Sequence, residues 1–162
     1  MTQSSREVGV VVRRRAVDNP WVDHVWAPVM LLEQVPETAP WSTLASEDGT
    51  TLYYAGSANI DLFSAETANY RDNLMDGEPR VWVALRQQGG GAELELTKVT
   101  ADPTEGEALF ESGTEVIGTV PMPPEIAAWI AAFVDAFHVE RVFQKRKRDR
   151  ANLDRRRGPD RA

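Results

Sequence analysis

Residues 124–138 read PEIAAWIAAFVDAFH, and this stretch decides the architecture that the rest of the sequence must satisfy. Its apolar side chains recur at the three- and four-residue spacing of one face of an α-helix. The members of this apolar stripe are Ile126, Trp129, Ile130, Phe133, Val134 and Phe137. Pro124 suits the first helical turn, where a backbone N–H would have no intrahelical partner. Burying the stripe is worth about 9 to 18 kcal/mol gross, so another layer of structure must cover it.

A β-sheet is the predicted cover, because the upstream sequence contains several short runs rich in β-branched and aromatic residues. The predicted strands span 7–15, 24–34, 50–56, 60–63, 80–86, 92–100 and 115–120. The runs 80–86 and 92–100 flank Gly89, Gly90 and Gly91, which predicts an antiparallel hairpin. The runs 50–56 and 60–63 are interpreted as a second hairpin, and residues 36–49 as a loop with one packed patch.

One further helix is predicted over 103–112, whereas the run 64–74 is ambiguous and fits a short helix. Asp102 is a good N-cap, Glu105 can bond back to the cap N–H, and Gly113 suits the C-cap. Leu109 and Phe110 are the expected core contacts of the 103–112 helix. The sequence therefore predicts an α+β fold. It is an antiparallel β-sheet or partly open barrel of about six to seven strands, packed by a C-terminal amphipathic helix and one short helix.

The composition limits the protein class. A chain of 162 residues suits one domain, and the absence of Cys excludes disulfides, thiolate metal ligands and Cys nucleophiles. The N-terminus has charges after its short apolar run, which is the reverse of a signal peptide. No stretch approaches the ~18 apolar residues of a membrane span. We expect a cytoplasmic, soluble protein that does not contact a membrane.

The charge is divided along the chain. Residues 144–162 carry nine Lys or Arg and three Asp, a balance of +6, whereas residues 1–143 have a balance of −13. The sequence predicts a single α+β domain over 1–143 and a basic, flexible tail over 144–162. An acidic body disfavours nucleic acid, whose phosphates it would repel. The tail could contact an acidic partner or fold back on its own body. Its candidate contact residues are Lys145, Arg146, Lys147 and Arg148.

A second basic run, Arg13, Arg14 and Arg15, ends the first predicted strand. It could form an anion site, but we favour the solvated end of an edge strand, which like charges protect from mispairing. Pro28 lies inside the second predicted strand and indicates an edge position or a bulge there.

Trp21, His24 and Trp26 are the candidate binding residues near the first turn. For the two Trp residues we favour core or rim packing over a ligand platform. Asp23 cannot orient His24, because adjacent strand residues point to opposite faces. His24 and His138 could meet in space and hold a metal with Asp18 or Asp23, but nothing in their spacing requires it. No metal site is predicted.

The sequence contains no recognised catalytic motif. The sequence has no Gly-x-Ser-x-Gly elbow, dinucleotide fingerprint or Walker motif. Two carboxylate pairs, Asp61 with Glu66 and Glu93 with Glu95, are interpreted as solubilising residues of a wet sheet face. We therefore predict no catalytic residue and no cofactor.

A resemblance adds to this interpretation. The blocks VGVVVRRRAVDNPWVDHVWAPVMLL, TANYRDNL, PRVWVALR, KVTADPTEGEALFESGTEVIGTVPMPPEIAAWIAAFV and HVERVFQKRKR resemble a proteobacterial family catalogued as a domain of unknown function. The resemblance covers about residues 7–148. Genes of that family neighbour those of molybdenum-dependent formate dehydrogenases and their maturation factors, which implies a supporting role. Some relatives are labelled for molybdopterin-guanine dinucleotide synthesis, but the Gly-rich nucleotidyltransferase loop is absent here.

Three functions remain open on the sequence. The first is a non-enzymatic accessory or binding protein for a molybdoenzyme subunit or maturation factor. The second is a pterin- or nucleotide-handling enzyme or carrier, with Trp21, His24 and Trp26 beside the three arginines as its platform. The third is nucleic-acid binding by the tail. A homo-oligomer remains open in each case.

Overall fold

The structure is a computed structural model that describes residues 3–87, 94–113 and 115–138. Within these residues the chain forms seven strands, three α-helices and one 3-10 turn. Their order is β1 Gln3–Ala16, β2 His24–Leu32, β3 Ser42–Glu47, β4 Thr50–Phe63, a 3-10 turn Ser64–Glu66, α1 Thr67–Leu74, β5 Arg80–Gln87, β6 Leu94–Thr100, α2 Pro103–Ser112, β7 Val116–Pro121 and α3 Pro124–Phe137.

The strands form two antiparallel sheets. Sheet A has the order β2-β1-β4-β3, and sheet B has the order β6-β5-β7. Strand β7 lies beside β2 and β6 lies beside β4, but the described ladders do not join the two sheets into a closed barrel. A Cβ on Gly118 would lie 2.7 Å from the Pro28 ring, so the approach of β7 to β2 requires a residue without a side chain. The predicted α+β fold is confirmed.

Helix α3 covers one end of the apolar core. Ile126, Ile130, Phe133 and Val134 are buried, as the stripe predicts. The core continues along β1 with Val8, Val10 and Val12 and crosses to sheet B with Val81, Val83 and Leu85. Phe137 is the exception in the stripe, because it lies in the last helical turn and is 38% exposed. The helix therefore closes the core with its first three turns.

Two predictions about sheet A are wrong. The predicted hairpin 50–56 and 60–63 is one continuous strand, β4, because Ser57, Ala58 and Asn59 pair with Gly9, Val8 and Glu7 of β1. A bulge and the positive φ of Gly56 bend this strand without ending it. The predicted loop 36–49 contains strand β3.

The edge-strand interpretation of β1 is also wrong, because β1 lies between β2 and β4. The Pro28 prediction is confirmed. Strand β2 is an edge of sheet A, and its register with β1 shifts between Val11 and Val12, next to Pro28.

Helix α2 has the predicted bounds. Asp102 accepts hydrogen bonds from the N–H groups of Thr104 at 2.9 Å and Glu105 at 3.4 Å, and Gly113 ends the helix in the left-handed region. The Glu105 carboxylate forms an ion pair with Lys98 at 3.1 Å. Phe110 is 46% exposed, so its predicted core contact is wrong.

Gly106 is the buried residue of α2. A Cβ there would lie 2.3–2.5 Å from the Trp82 ring, so the helix packs its backbone directly on the indole. A glycine rather than Phe110 therefore makes the inward contact of this helix.

Candidate functional site

The candidate site is a cluster that we call the aromatic end, formed by Arg14, Trp26, Trp41 and Tyr53. It lies where sheet A continues past the last buried valine of β1. Arg14 pairs with Trp26 across β1 and β2, and Val12 pairs with Tyr53 across β1 and β4. Paired residues of antiparallel strands share a face, and Val12 faces the core. The aromatic end therefore occupies the inner face of sheet A, at the end of the core.

The three rings of the aromatic end pack on one another. Trp26 and Trp41 meet edge to face with centroids 5.9 Å apart, and Tyr53 lies 5.8 Å from Trp26 and 6.1 Å from Trp41. These are distances of directly packed aromatic pairs. The rings therefore fill the space between them and leave no slot of ring thickness.

The Arg14 guanidinium lies over two of these rings. Its Cζ atom is 5.8 Å from the Trp26 centroid and 5.4 Å from the Tyr53 centroid. Both distances are within the range of cation–π attraction. Among the residues that the structure describes, none forms a hydrogen bond or ion pair with the Arg14 guanidinium. A guanidinium held flat on rings keeps its N–H donors available for a planar anion such as a carboxylate.

The other two arginines of the run do not join this cluster. Strand alternation turns Arg13 and Arg15 to the opposite face of sheet A. Arg15 is exposed, and the Nε atom of Arg13 is buried without a hydrogen-bond partner. The three arginines therefore do not converge on one anion site.

Trp21 is 88% exposed in the loop that joins β1 to β2. Its backbone N–H donates to Asn19 Oδ1 at 2.8 Å, and the Val17 N–H donates to the Asp23 carbonyl at 3.0 Å. These bonds order the loop, but they leave the indole in solvent. Core or rim packing is therefore wrong for Trp21, whereas it is correct for the partly buried Trp26.

His24 opens β2 and pairs with Ala16 at the last position of β1. It shares a face with Trp26 by alternation, but it is exposed. Trp21, His24 and Trp26 thus lie near the same end of sheet A, and only Trp26 belongs to the packed ring cluster.

His138 lies at the opposite end of β1, beside α1. Thr67 Oγ1 is 3.1 Å from its Nδ1, and an Arg71 guanidinium nitrogen is 3.4 Å from its Nε2. The two imidazoles therefore cannot share an ion. In the described part of the chain, no group of three or more His, Asp and Glu residues is placed to hold a metal.

The carboxylate pairs are not assembled as pairs. The Ser5 hydroxyl donates to Asp61, and the Asn69 amide donates to Glu66 at 3.1 Å. Glu93 and the tail candidates Lys145, Arg146, Lys147 and Arg148 lie outside the described residues, as does the triple-Gly loop.

Tyr70 is the one described group with a clearly shifted pKa. Burial raises its pKa from 10.0 to about 12, against the hydrogen bond that the Phe63 N–H donates to its Oη at 3.0 Å. Its ring is 2% exposed and meets Phe133 of α3 edge to face, with centroids 6.3 Å apart. This ring supports α3 from within the core.

Sequence reasoning missed Trp41 and Tyr53. The signal that could have found them is Asp48-Gly49, because this dipeptide favours a two-residue type I′ hairpin turn. Both residues have the positive φ values, 48° and 78°, that such a turn needs. Recognising the turn would have predicted strands β3 and β4 on its two sides. It would also have placed Trp41 and Tyr53 close together, several residues away from the turn.

Trp41 shows the local cost of this arrangement. Its φ of 68° lies in the left-handed region, which a large side chain rarely adopts. Its N–H donates to the Tyr54 carbonyl, and its ring contacts both Trp26 and Tyr53. Ring packing and this hydrogen bond together hold a backbone conformation that is unfavourable by itself.

The fold and the site define a class: an α+β protein with two facing antiparallel sheets and a cation–aromatic surface at one end. The chain belongs to the family described as "Protein of unknown function (DUF3305)", whose model matches residues 7–147. The match encloses every residue of the aromatic end. Comparison with the curated proteins and with the solved structures found no match. Among the residues that the structure describes, no helix has the length and apolarity that crossing a bilayer requires.

Proposed function

We propose that this protein is a non-enzymatic accessory protein that holds a partner protein at the aromatic end of sheet A. The observation that carries the proposal is Arg14, which is fixed over Trp26 and Tyr53 and has no acidic partner among the described residues. A stacked guanidinium loses little side-chain freedom on binding, so a carboxylate of a partner can bind it at low entropic cost.

The exposed Trp21 supports the same proposal. Trp and Arg are the residue types that most often dominate the binding energy of protein interfaces. Val22 in the same loop is 48% exposed, which adds apolar surface beside the indole. This loop begins three residues after Arg14, so the end of sheet A fits a partner surface in which a carboxylate adjoins an apolar pocket.

The partner that we propose is a subunit or maturation factor of a molybdenum-dependent formate dehydrogenase. The support is the resemblance of the sequence blocks to a family whose genes neighbour those of such enzymes. The tail residues Lys145–Arg148 would provide a second, electrostatic contact with an acidic partner. We propose that the protein acts in the cytoplasm, because its Cys-free composition fits a reducing compartment.

The test is equilibrium binding between the purified full chain and purified formate dehydrogenase subunits encoded in the same genome. We expect saturable binding, and Arg14→Gln should weaken it at least about tenfold, the loss of one charge-assisted contact. Arg6→Gln is the matched control, because Arg6 lies 5.4 Å over the Trp129 ring at the other end of β1. An absence of binding at low salt would exclude this partner.

A pterin- or nucleotide-handling protein is the second candidate, and the observation that favours it is the same arginine stacked on aromatic rings. A ligand would have to stack outside the cluster, because the three rings are packed on one another. Titration of the Trp fluorescence with a pterin or a nucleotide discriminates the candidates. Saturable quenching that Trp26→Ala abolishes would favour this second function, and an unchanged spectrum would exclude it.

A further inference from the structure

A second surface, far from the aromatic end, has an unusual combination of groups. Helix α1 ends and α2 begins around a cleft of about 490 Å³. Its lining residues are Asp72, Asn73, Met75, Asp76, Arg80, Trp82 and Pro103. We call this surface the α1–α2 cleft. We propose that in the free protein the basic tail, residues 144–162, occupies it.

The charge of the α1–α2 cleft favours a basic occupant. Asp72 and Asp76 are exposed and form no ion pair with any described residue. Arg80 is offset by Glu78, whose carboxylate lies 3.6 Å from its guanidinium. The last carbonyls of α1 add negative potential, because they lie at the negative end of the helix dipole. The surface therefore attracts cations.

Trp82 provides an independent indication of a missing contact. Its side chain is buried against Gly106 with 7% exposure, and its Nε1 has no hydrogen-bond partner. A buried N–H without an acceptor is unfavourable, so native proteins almost always satisfy such a group. The indole of Trp82 lines the α1–α2 cleft, so an occupant packs against the same ring. Met75, which is 71% exposed at the same cleft, supplies an apolar contact for the long methylene stems of Lys and Arg.

The tail has the complementary charge and the reach. Residues 144–162 carry nine Lys or Arg and three Asp, whereas the chain before them is strongly acidic. Their attachment point is close, because His138 contacts Thr67 in the first turn of α1. From there Asp72 lies about 8 Å and Asp76 about 14 Å along the helix axis. The six residues 139–144 span up to ~20 Å when extended, so Lys145 and the basic residues after it reach both carboxylates.

This proposal does not depend on the proposed function, because it concerns the protein without a partner. It also does not involve the aromatic end, which lies at the opposite end of β1. An acidic partner that binds the tail would first compete with Asp72 and Asp76 for it.

The test uses the full chain and its lack of native Cys. Ala151→Cys provides one attachment point for a nitroxide spin label, and ¹⁵N spectra report which amides it broadens. We expect the amides of residues 72–76 and 104–106 to lose at least half of their intensity at low salt. About 0.5 M NaCl should restore them, because the Debye length then falls to about 4 Å. Asp72→Asn with Asp76→Asn should restore them without salt.

The matched control is Glu47→Gln with Asp48→Asn, which removes the same charge from the β3–β4 turn and retains a residue that tolerates positive φ at position 48. This control should leave the broadening unchanged. Broadening that both double variants reduce equally, or that is absent at low salt, would overturn the proposal. The second control mixes ¹⁵N chains that carry no nitroxide with ¹⁴N chains that carry it. Equal broadening in this mixture would also overturn the proposal, since the occupant would then be the tail of a second copy.

Discussion

The two ends of strand β1 use the same interaction for different purposes. At the helix end, the Arg6 guanidinium lies 5.4 Å over Trp129, whose Nε1–H donates to Ser4 Oγ at 3.1 Å, and α3 covers the core behind this contact. At the aromatic end, Arg14 lies over Trp26 and Tyr53, and no helix of the described chain covers it. One stacked arginine attaches α3 to the sheet, whereas the guanidinium of the other has no hydrogen-bond or ion-pair partner among the described residues. A cation–π contact therefore indicates a binding site only where the N–H donors of the cation have no other partner.

Ile130→Ala should have the largest effect on stability, because it removes a buried side chain in the middle of α3, the helix that covers the core. Ile130 is fully buried, and truncation of such a side chain costs about 2–5 kcal/mol through lost burial and the cavity left behind. Urea denaturation followed by circular dichroism measures the loss. Ala132→Ser on the exposed face of α3 is the control and should cost less than about 1 kcal/mol. Equal losses in the two variants would mean that α3 does not cover the core.

Tyr70→Phe should have the next largest effect, about 1–3 kcal/mol, because it leaves the part-buried Phe63 N–H without its acceptor. Ala68→Ser on the exposed face of α1 is its control. A negligible loss in Tyr70→Phe would contradict the assigned hydrogen bond.

The pH dependence of stability tests the same residue. The folded-state pKa of Tyr70 is raised from 10.0 to about 12, so the unfolded chain releases this proton first as the pH rises. Stability is fully present below pH 10 and should fall above it, by up to about 1.4 kcal/mol per pH unit. Denaturation midpoints between pH 9 and pH 12 measure the slope, which Tyr70→Phe should reduce. An unchanged slope in the variant would assign the alkaline loss to other groups.

Arg14→Gln and Arg6→Gln should each cost about 0.5–2 kcal/mol of stability, since Arg14 loses its cation–π contacts with two rings and Arg6 its contact with one. The two variants separate stability from binding, because both stability losses should be small while only Arg14→Gln should weaken partner binding. A loss well above 2 kcal/mol for Arg14→Gln alone would mean that the aromatic end is structural.

Trp21→Ser should have the smallest effect on stability, within about 0.5 kcal/mol, because the indole is 88% exposed. The same variant should weaken partner binding, since a bound interface would bury this side chain. Trp26→Ser, which removes a packed ring, is the contrasting variant and should destabilise the fold clearly. Similar stability losses in the two variants would contradict the exposed position of Trp21.

The positions of the helices and strands could be predicted from the sequence better than the pairing of the strands in the sheets. The α3 stripe and the caps of α2 depend on residues close in sequence, so Ile130, Asp102 and Gly113 could be interpreted correctly. The central position of β1 could not be predicted, because it depends on pairing with β4, whose residues lie about 50 positions away. The same non-local pairing brings Tyr53 beside Trp26, and the composition of either strand alone does not show it.

The aromatic residues show the same limit from another side. The sequence alone does not distinguish Trp21 from Trp26. The loop hydrogen bonds to Asn19 and Asp23 leave Trp21 in solvent, whereas strand pairing places Trp26 against the rings of the aromatic end. Arg14 differs from Arg13 and Arg15 only through strand alternation and the identity of its neighbours. The domain division at residue 143 remains a prediction.

The proposed role of Arg14 can be measured by equilibrium binding of a purified molybdenum-dependent formate dehydrogenase subunit to the wild-type chain, Arg14→Gln and Arg6→Gln. We expect saturable binding to the wild-type chain, a loss of at least about tenfold for Arg14→Gln and a change of less than about twofold for Arg6→Gln. Equal affinities of all three proteins would show that the aromatic end does not hold the partner.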